Sequence, residues 1–161
     1  MSAEAVPTRT VETVEELREL VGQELGAGRW LEMTQERVDA FADATGDHQW
    51  IHVDPERAAK TPFGGTIAHG FLTLSLMPLL RREWEGIRVD LHPKMGINYG
   101  LNRVRFISPV RVGRRIRLRT RLLGVEDVAP DVFQVTYQQT IEIEGEERPA
   151  MVAESIGRQY L

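Results

Sequence analysis

The spacing of apolar residues divides the chain into a helical first half and a second half rich in strands. Residues 1–11 are mainly small and polar, and we expect them to form a loose arm. Thr13 and Glu16 have capping-box spacing before apolar residues at helical intervals, which predicts a short helix ending near Gly26. Residues 28–33 are expected to form a first strand or the segment that leads into one.

A second helix and a connecting loop follow. Thr34 is well placed to cap a helix whose apolar residues recur at helical spacing and which stops at Gly46. The loop that starts at Gly46 is expected to be non-helical. Asp54 is a candidate N-cap with Pro55 at the first helical position, so a further short helix is predicted there.

The most apolar part of the chain is predicted to be one long helix over residues 66–82. Its apolar residues are Ile67, Phe71, Leu72, Leu74, Leu76, Met77, Leu79 and Leu80. Because they lie on more than one face, we expect protein to surround this helix. Pro78 lacks a backbone donor, so a kink or an irregular last turn is expected.

After Gly86 the apolar period becomes alternating, which indicates β-strands. The predicted strands are residues 97–106, 114–123, 132–144 and 150–160. Apolar residues of the third strand share one face: Phe133, Val135, Tyr137, Ile141 and Ile143. Turns are expected at Gly113, Gly124, Pro130 and Gly145. The short gaps favour an antiparallel meander, and the whole pattern predicts an α+β fold.

Composition restricts the possible functions. The length of 161 residues favours a single domain over residues 1–161. There are no cysteines, which excludes thiolate chemistry and fits a cytoplasmic location. The net charge of −4 gives no basic field for nucleic acid, and no apolar run is long enough for a membrane span. We therefore expect a cytoplasmic protein with neither nucleic acid nor membrane as partner.

Asp47 and His52 are the strongest candidates for catalytic chemistry. A carboxylate and an imidazole that hold one water can activate it and supply the proton for the neighbouring carbon during addition to a conjugated double bond. His48, Asp54 and His69 could extend this pair into a metal site. The zincin pattern, however, needs a glutamate after the first histidine on a regular helix. We therefore expect no metal.

The residues around this pair follow a family pattern. They are Phe41, Thr45-Gly46-Asp47, Ile51-His52, Asp54, Ala58, Phe63-Gly64, Ile67-Ala68-His69-Gly70 and Leu74-Ser75, followed by Tyr99-Gly100, Arg103, Arg105-Phe106 and Pro109-Val110. In this order and spacing the chain resembles the MaoC-like dehydratase family, which includes the R-specific enoyl-CoA hydratases. The family usually has Asn-Pro between the aspartate and the histidine, where this chain has Gln49-Trp50.

Together with the strand pattern, the resemblance predicts a hotdog fold, in which a curved antiparallel sheet wraps a long central helix. Unpaired strand edges favour a homodimer. The resemblance implies that Asp47 and His52 are the catalytic pair and that the Gly70 N–H faces the thioester oxygen. The other candidate substrate-binding residues are Ala68, His69, Asn98 and Arg103. The implied substrate is an acyl-CoA or acyl-carrier-protein thioester, hydrated or dehydrated without a cofactor.

Two other functions stay open. A hotdog thioesterase would direct water at the thioester carbon, but residues 66–80 lack the acid that such enzymes usually carry in or near the central helix. An acyl-thioester-binding module would keep the fold without turnover. The alternating arginines of residues 114–121 are interpreted as the solvent face of a strand, whereas Arg103 or Arg105 could meet coenzyme A phosphates.

Overall fold

The computed structural model describes residues 8–161, which form an eight-stranded sheet with short helices. The sheet order is β1-β4-β2-β6-β7-β8-β5, and β3 also pairs with β6. The strands are β1 (Arg9–Val11), β2 (Glu24–Gly28), β3 (Leu31–Glu32), β4 (Trp84–Val89), β5 (Met95–Phe106), β6 (Arg115–Ala129), β7 (Val132–Ile143) and β8 (Met151–Tyr160). All of the pairings are antiparallel except that of β1 with β4, so the predicted α+β class is confirmed.

The helical part consists of one three-turn helix and several single turns. The helices are α1 (Val14–Glu19), α2 (Gln35–Thr45), α3 (Trp50–Val53), α4 (Pro55–Ala58), α5 (Gly70–Ser75) and α6 (Met77–Leu80). The predicted caps are confirmed where the signal is local. Thr13 and Glu16 form the expected capping box of α1, and the Thr34 side chain accepts from the N–H of Arg37 in α2. Asp54 likewise caps α4.

The expected loose arm over residues 1–11 is wrong at its C-terminal end. Residues 1–7 lie outside the described part of the chain. Arg9–Val11, however, forms β1, which pairs in parallel with the strand segment from Ile87 to Val89. Val11 is fully buried, so burial of this residue and pairing with a distant strand override the polar composition of the segment.

The predicted end of α1 and the predicted loop after α2 also need correction. Helix α1 ends at Glu19, and Gly26 lies inside β2. Gly46 ends α2 in the left-handed conformation, as predicted. The segment after it is not entirely a loop, because Trp50–Val53 forms the helical turn α3.

The predicted long helix over residues 66–82 is shorter and divided. Residues 66–68 are extended, since the Ala68 N–H bonds to the Val110 carbonyl (2.8 Å) and the Val112 N–H bonds to the Thr66 carbonyl (2.9 Å). The helix therefore begins at Gly70, and it is interrupted at Leu76, two residues before Pro78. This interruption agrees with the expected kink, because proline cannot donate to the carbonyl four residues earlier.

The expectation that protein surrounds this helical segment is wrong for the single chain. Leu72, Leu76 and Leu80 are buried at intervals of four residues and pack in a core cluster with apolar residues of β6, β7 and β8. On the other side, the Phe71 side chain is 68% exposed. A second cluster packs α1 against the far part of the sheet.

The predicted strands of the second half are confirmed, but their order is different. Strands β6, β7 and β8 form the expected meander, whereas β5 pairs with β8 at the edge rather than with β6. Gly124 lies within β6 at a shift of register instead of in a turn. The strand β4 was not predicted. No helix within residues 8–161 is long and apolar enough to cross a membrane. The single domain over residues 1–161 stays a prediction.

Candidate active site

Asp47 follows directly from the left-handed end of α2. Gly46 adopts a φ of 78°, which turns the chain away from the helix axis. One carboxylate oxygen of Asp47 accepts a hydrogen bond from the Gln49 N–H (3.3 Å), a local turn typical of aspartate. Since the side chain is otherwise exposed, the carboxylate is held in place but accessible.

His52 lies on the turn α3 and is buried, with 7% of its surface exposed. Its Nδ1 lies 2.7 Å from the backbone oxygen of Ile67. A carbonyl can only accept, so Nδ1 carries the proton and Nε2 of the neutral ring is left with a lone pair. Burial is the largest influence on the pKa of His52 and lowers it from the usual 6.5, although the Ile67 bond acts in the opposite direction.

His69 connects these two residues. Its ring stacks on that of His52, with 3.8 Å between ring centroids and 25° between ring planes. Its Nε2 donates to the backbone oxygen of Asp47 (2.9 Å), and its ring is 3% exposed. Its Nδ1 is buried and has no hydrogen-bond partner among the described residues. His69 thus orders both catalytic candidates through one side chain.

Gln35 is a supporting residue that sequence reasoning missed. As the first residue of α2, it donates to the His52 carbonyl (2.8 Å) and accepts from the Thr66 hydroxyl. The amide therefore joins α2, α3 and the extended segment before α5. A glutamine at the start of a helix has no distinctive spacing to its partners, which lie 17 and 31 residues away, so no sequence pattern signals this role.

Three of the candidate residues lie close enough together to act as metal ligands. One potential ligand atom each from Asp47, His52 and His69 lies within 4.8 Å of the others, a set that could hold a metal ion. His48 is not part of this set, since it pairs with Asp43 (2.8 Å), which raises the pKa of His48. Asp54 is the cap of α4. The metal-free site stays a prediction.

Gly70 starts α5 next to a closely packed ring. A Cβ atom at this position would lie 2.8 Å from Cδ2 of Phe106, closer than carbon atoms pack. The first intrahelical bond runs from the Thr73 N–H to the His69 carbonyl, so the Gly70 N–H takes no part in the helix ladder. Ala68, in contrast, is buried and uses its N–H in the bond to Val110.

Asn98 and Arg103 are not brought to this cluster within the chain. Both lie exposed on β5, opposite Gly157 and Glu154 of β8. At about 3.3 Å per residue, Asn98 is roughly 26 Å along the strand from Phe106, and Arg103 is about 10 Å from it. Their roles in substrate binding stay predictions.

The alternating arginines of β6 behave as predicted for a solvent face. Arg117 and Arg119 both pair with Glu142 on β7, at 2.6 and 3.1 Å.

Gln49-Trp50, which replaces the Asn-Pro usual in the family, fits into the helical turn after Asp47. Trp50 begins α3, and its ring packs under the Arg57 guanidinium, with 4.1 Å from the ring centroid to the guanidinium carbon.

The chain is similar in sequence to a known protein family and to several named proteins. Residues 16–143 match a family model described as the MaoC like domain. The chain is 53% identical over 150 residues to the 3-hydroxyacyl-thioester dehydratase Z of Mycobacterium tuberculosis, covering 93% of this chain and 97% of that protein. It is also 52% identical over 134 residues to nodulation protein N of Rhizobium leguminosarum bv. viciae, covering 83% and 82%.

A solved structure shares the fold. The (R)-hydratase of A. caviae involved in PHA biosynthesis superposes with a TM-score of 0.66 at 27% identity, covering 85% of this chain and 94% of that chain. The eight-stranded sheet and its helical segment therefore form the expected hotdog fold.

Proposed function

This chain belongs to the MaoC-like domain family, and from this membership we propose that it interconverts trans-2-enoyl thioesters and (3R)-3-hydroxyacyl thioesters by adding or removing water. The name of the mycobacterial relative supports a dehydratase that acts on 3-hydroxyacyl thioesters. The name of the A. caviae structure supports the R configuration. The thioester would be carried by coenzyme A or by acyl carrier protein.

The catalytic pair in this proposal is Asp47 and His52. Nε2 of neutral His52 accepts a proton from a water whose other hydrogen is held by the Asp47 carboxylate. The water oxygen bonds to C3 of the enoyl chain, the double-bond electrons move toward the thioester oxygen, and the removed proton returns to C2. One O–H bond and the C2–C3 π bond break while one C–O and one C–H bond form, so no electrons are exchanged with a cofactor.

Negative charge develops on the thioester oxygen during this addition. The Gly70 N–H is available for this charge, since it starts α5 without an intrahelical acceptor. A backbone donor fixed before the reaction stabilises the developing oxyanion without reorganising. The absence of a side chain on Gly70 keeps this approach open beside Phe106.

The observation that carries the proposal is the tautomer of His52. The bond from Nδ1 to the Ile67 carbonyl leaves Nε2 as a base, and burial keeps the ring neutral near pH 7 by lowering its pKa. A carboxylate oxygen of Asp47 lies within 4.8 Å of a ring nitrogen of His52, a separation that one water can bridge.

The first test is the ultraviolet absorbance of crotonyl-CoA mixed with the purified protein. Loss of the conjugated enoyl band together with formation of (3R)-3-hydroxybutyryl-CoA is expected. Loss of the band with release of free thiol would instead support the thioesterase alternative. No change with short or medium acyl chains would contradict turnover and leave the binding module.

A homodimer is the second part of the proposal. The outer edge of β5 pairs with no strand in the described part of the chain, and nearly the whole strand is exposed. Its exposed large apolar residues are Met95, Ile97, Tyr99, Leu101 and Phe106. Phe71 adds to them through an edge contact with Phe106, 5.8 Å between ring centroids. An open edge with this much apolar surface is suited to a second copy of the chain.

A further inference from the structure

The turn α3, which carries His52, is too short to hold its own position. It has four residues, and no side chain caps its first N–H groups. A single helical turn is unstable in water, because fixing its residues costs more entropy than its hydrogen bond returns. The position of His52 is therefore set by bonds from other segments of the chain.

Two of these bonds come from the backbone of Ile67. Its N–H donates to the Ile51 carbonyl (3.1 Å), and its carbonyl accepts from Nδ1 of His52 (2.7 Å). The residues on either side of Ile67 are bonded in turn to the segment 110–112, which holds this acceptor in place. Since the bond made by Nδ1 decides the tautomer, the tautomer of His52 depends on how closely α3 stays against Ile67.

Gln35 supplies a third link between the same two segments. Its Nε2 donates to the His52 carbonyl (2.8 Å), and its Oε1 accepts from the hydroxyl of Thr66, the residue before Ile67. The amide thus reaches from the backbone of the proposed base to the neighbour of that base's own hydrogen-bond acceptor. His52 is consequently held at both ends, at its carbonyl by Gln35 and at its ring by Ile67.

The Gln35 amide has only one favourable orientation. Its Nε2 also donates to a carboxylate oxygen of Asp39 (2.8 Å), one turn later in α2. Carboxylate and carbonyl oxygens can only accept, so a flipped amide would set its own oxygen against two other acceptors. With both N–H groups and the oxygen engaged, the amide keeps a defined distance between His52 and Thr66.

We infer that Gln35 is the positioning residue of His52: it holds the His52 carbonyl against Thr66 and thereby keeps Nδ1 on the Ile67 carbonyl and Nε2 free to accept a proton. Without this link α3 can move away from Ile67, and the ring proton can then occupy Nε2, which no longer accepts from water. The amide is neither an acid nor a base, so it acts only through His52. The inference rests on the proposed function, because the tautomer affects turnover only where Nε2 is the base.

Ring-nitrogen NMR of the full-length, histidine-labelled protein tests the inference at about pH 8, where a histidine with a lowered pKa is neutral. The signals of His52 are those that disappear in His52→Gln. The unmodified protein is expected to carry the His52 proton on Nδ1. Gln35→Met has a side chain of similar length without the amide, and a mixture of the two tautomers is expected. Its kcat for crotonyl-CoA hydration should fall about tenfold at nearly unchanged KM.

Two further variants complete the test. Glu36→Met is the matched control, because Glu36 is the next residue of α2, is exposed and receives the same replacement. Its His52 tautomer and its kcat are expected to equal those of the unmodified protein. Thr66→Val removes the hydroxyl at the other end of the link, and a smaller change in the same direction as Gln35→Met is expected, since the bond to the His52 carbonyl remains.

Three results would overturn the inference. The first is a His52 proton on Nε2 in the unmodified protein, a result that needs no variant. The second is a pure Nδ1–H tautomer in folded Gln35→Met or, if that variant does not fold, in folded Thr66→Val. The third is a lower Tm and kcat in Gln35→Met with an unchanged tautomer, which would make Gln35 merely structural. Absence of hydration by the unmodified protein would instead contradict the proposed function, and the tautomer comparison would still decide the role of Gln35.

Discussion

The imidazole ring of His69 stacks on that of His52 at a centroid distance of 3.8 Å while its Nε2 donates to the backbone oxygen of Asp47. The two catalytic candidates are therefore joined through a residue that belongs to neither of their elements. The Ile67 carbonyl also holds the His52 ring in place, by accepting a hydrogen bond from Nδ1. Asp47, His52 and His69 therefore form one connected cluster, whose members can be tested separately.

The first prediction concerns the proposed catalytic pair. Asp47→Asn and His52→Gln are each expected to reduce crotonyl-CoA hydration at least about 100-fold, because general acid–base groups typically contribute about 10²–10⁴ to the rate. Circular dichroism should show both variants folded. His48→Gln is the matched control, since His48 is exposed, lies in the same loop and pairs with Asp43. Near-normal turnover in either variant would remove that residue from the mechanism.

The second prediction separates the two contacts of His69. His69→Phe keeps a ring against His52 but loses the donor to the Asp47 carbonyl, and kcat is expected to fall roughly tenfold, the equivalent of one hydrogen bond. His69→Gln loses the stack but keeps an N–H donor. His69 also lowers the pKa of His52, because it disfavours the positively charged form of the His52 ring. Both variants should therefore move the acid limb of kcat/KM to higher pH.

An unshifted pH profile in both His69 variants would contradict the electrostatic part of this role. If His69→Phe also had normal kcat, the bond to the Asp47 carbonyl would have only a structural effect. A merely structural residue would lower Tm without moving the pH profile.

The third prediction concerns stability against pH. The pKa of folded His52 is lowered from 6.5, chiefly by burial, so the unfolded chain binds more protons in the window between 6.5 and the lowered value. The contribution of neutral His52 is present above pH 6.5 and is lost as the pH falls through this window. Below about pH 6.5, the Tm of the unmodified protein should therefore decrease relative to that of His52→Gln.

His48 provides a comparison of opposite sign. Its pKa is raised, chiefly by the bond to Asp43, so its contribution is present at low pH and is lost as the pH rises through the raised value. As the pH falls, the Tm of His48→Gln should therefore decrease relative to that of the unmodified protein. Parallel Tm curves for the two histidine variants would disprove the assigned environments.

The features that could be predicted from sequence are those that depend on near neighbours. Thr13 caps α1 through Glu16, three residues away, so the sequence is sufficient to find it. The predictions that were wrong concern segments whose hydrogen-bond partners are distant in the sequence. Ala68 is drawn out of the expected helix by Val110, and β1 forms because β4 lies beside it. Nothing local in either segment reports these pairings.

The candidate site shows the same division. Asp47, His52 and Gly70 could be proposed from a motif, but the tautomer of His52 depends on a carbonyl 15 residues away. The contact of the Arg81 guanidinium with the Tyr137 ring likewise joins the residue after α6 to strand β7. Sequence spacing carries no information on such contacts, since they arise only when the helical segment packs on the sheet.

The fourth prediction concerns the close packing at Gly70. In Gly70→Ala the new methyl group would lie 2.8 Å from Cδ2 of Phe106, so either the ring or the start of α5 has to move. Overpacking of this kind typically lowers the free energy of unfolding by about 1–3 kcal/mol. Displacing the Gly70 N–H should also lower kcat/KM. Denaturant unfolding and the crotonyl-CoA assay measure the two effects.

A second substitution shows whether the ring is the cause. Phe106→Ala should restore part of the stability lost in Gly70→Ala, because it removes Cγ, Cδ2 and Cε2, the ring atoms closest to the methyl group. Additive losses in the double variant would mean that the ring moves freely, and that the expected cost arises elsewhere.

The fifth prediction tests the dimer through β5. Leu101 is 44% exposed on the open edge strand, and Val128, near the end of β6, is 43% exposed away from that edge. Leu101→Arg is expected to convert the dimer to a monomer in light scattering after size exclusion, because a charge would be buried against a second copy of the edge. Val128→Arg, matched in exposure and substitution, is expected to leave the mass unchanged. Equal masses for Leu101→Arg and the unmodified protein would exclude this edge as the interface.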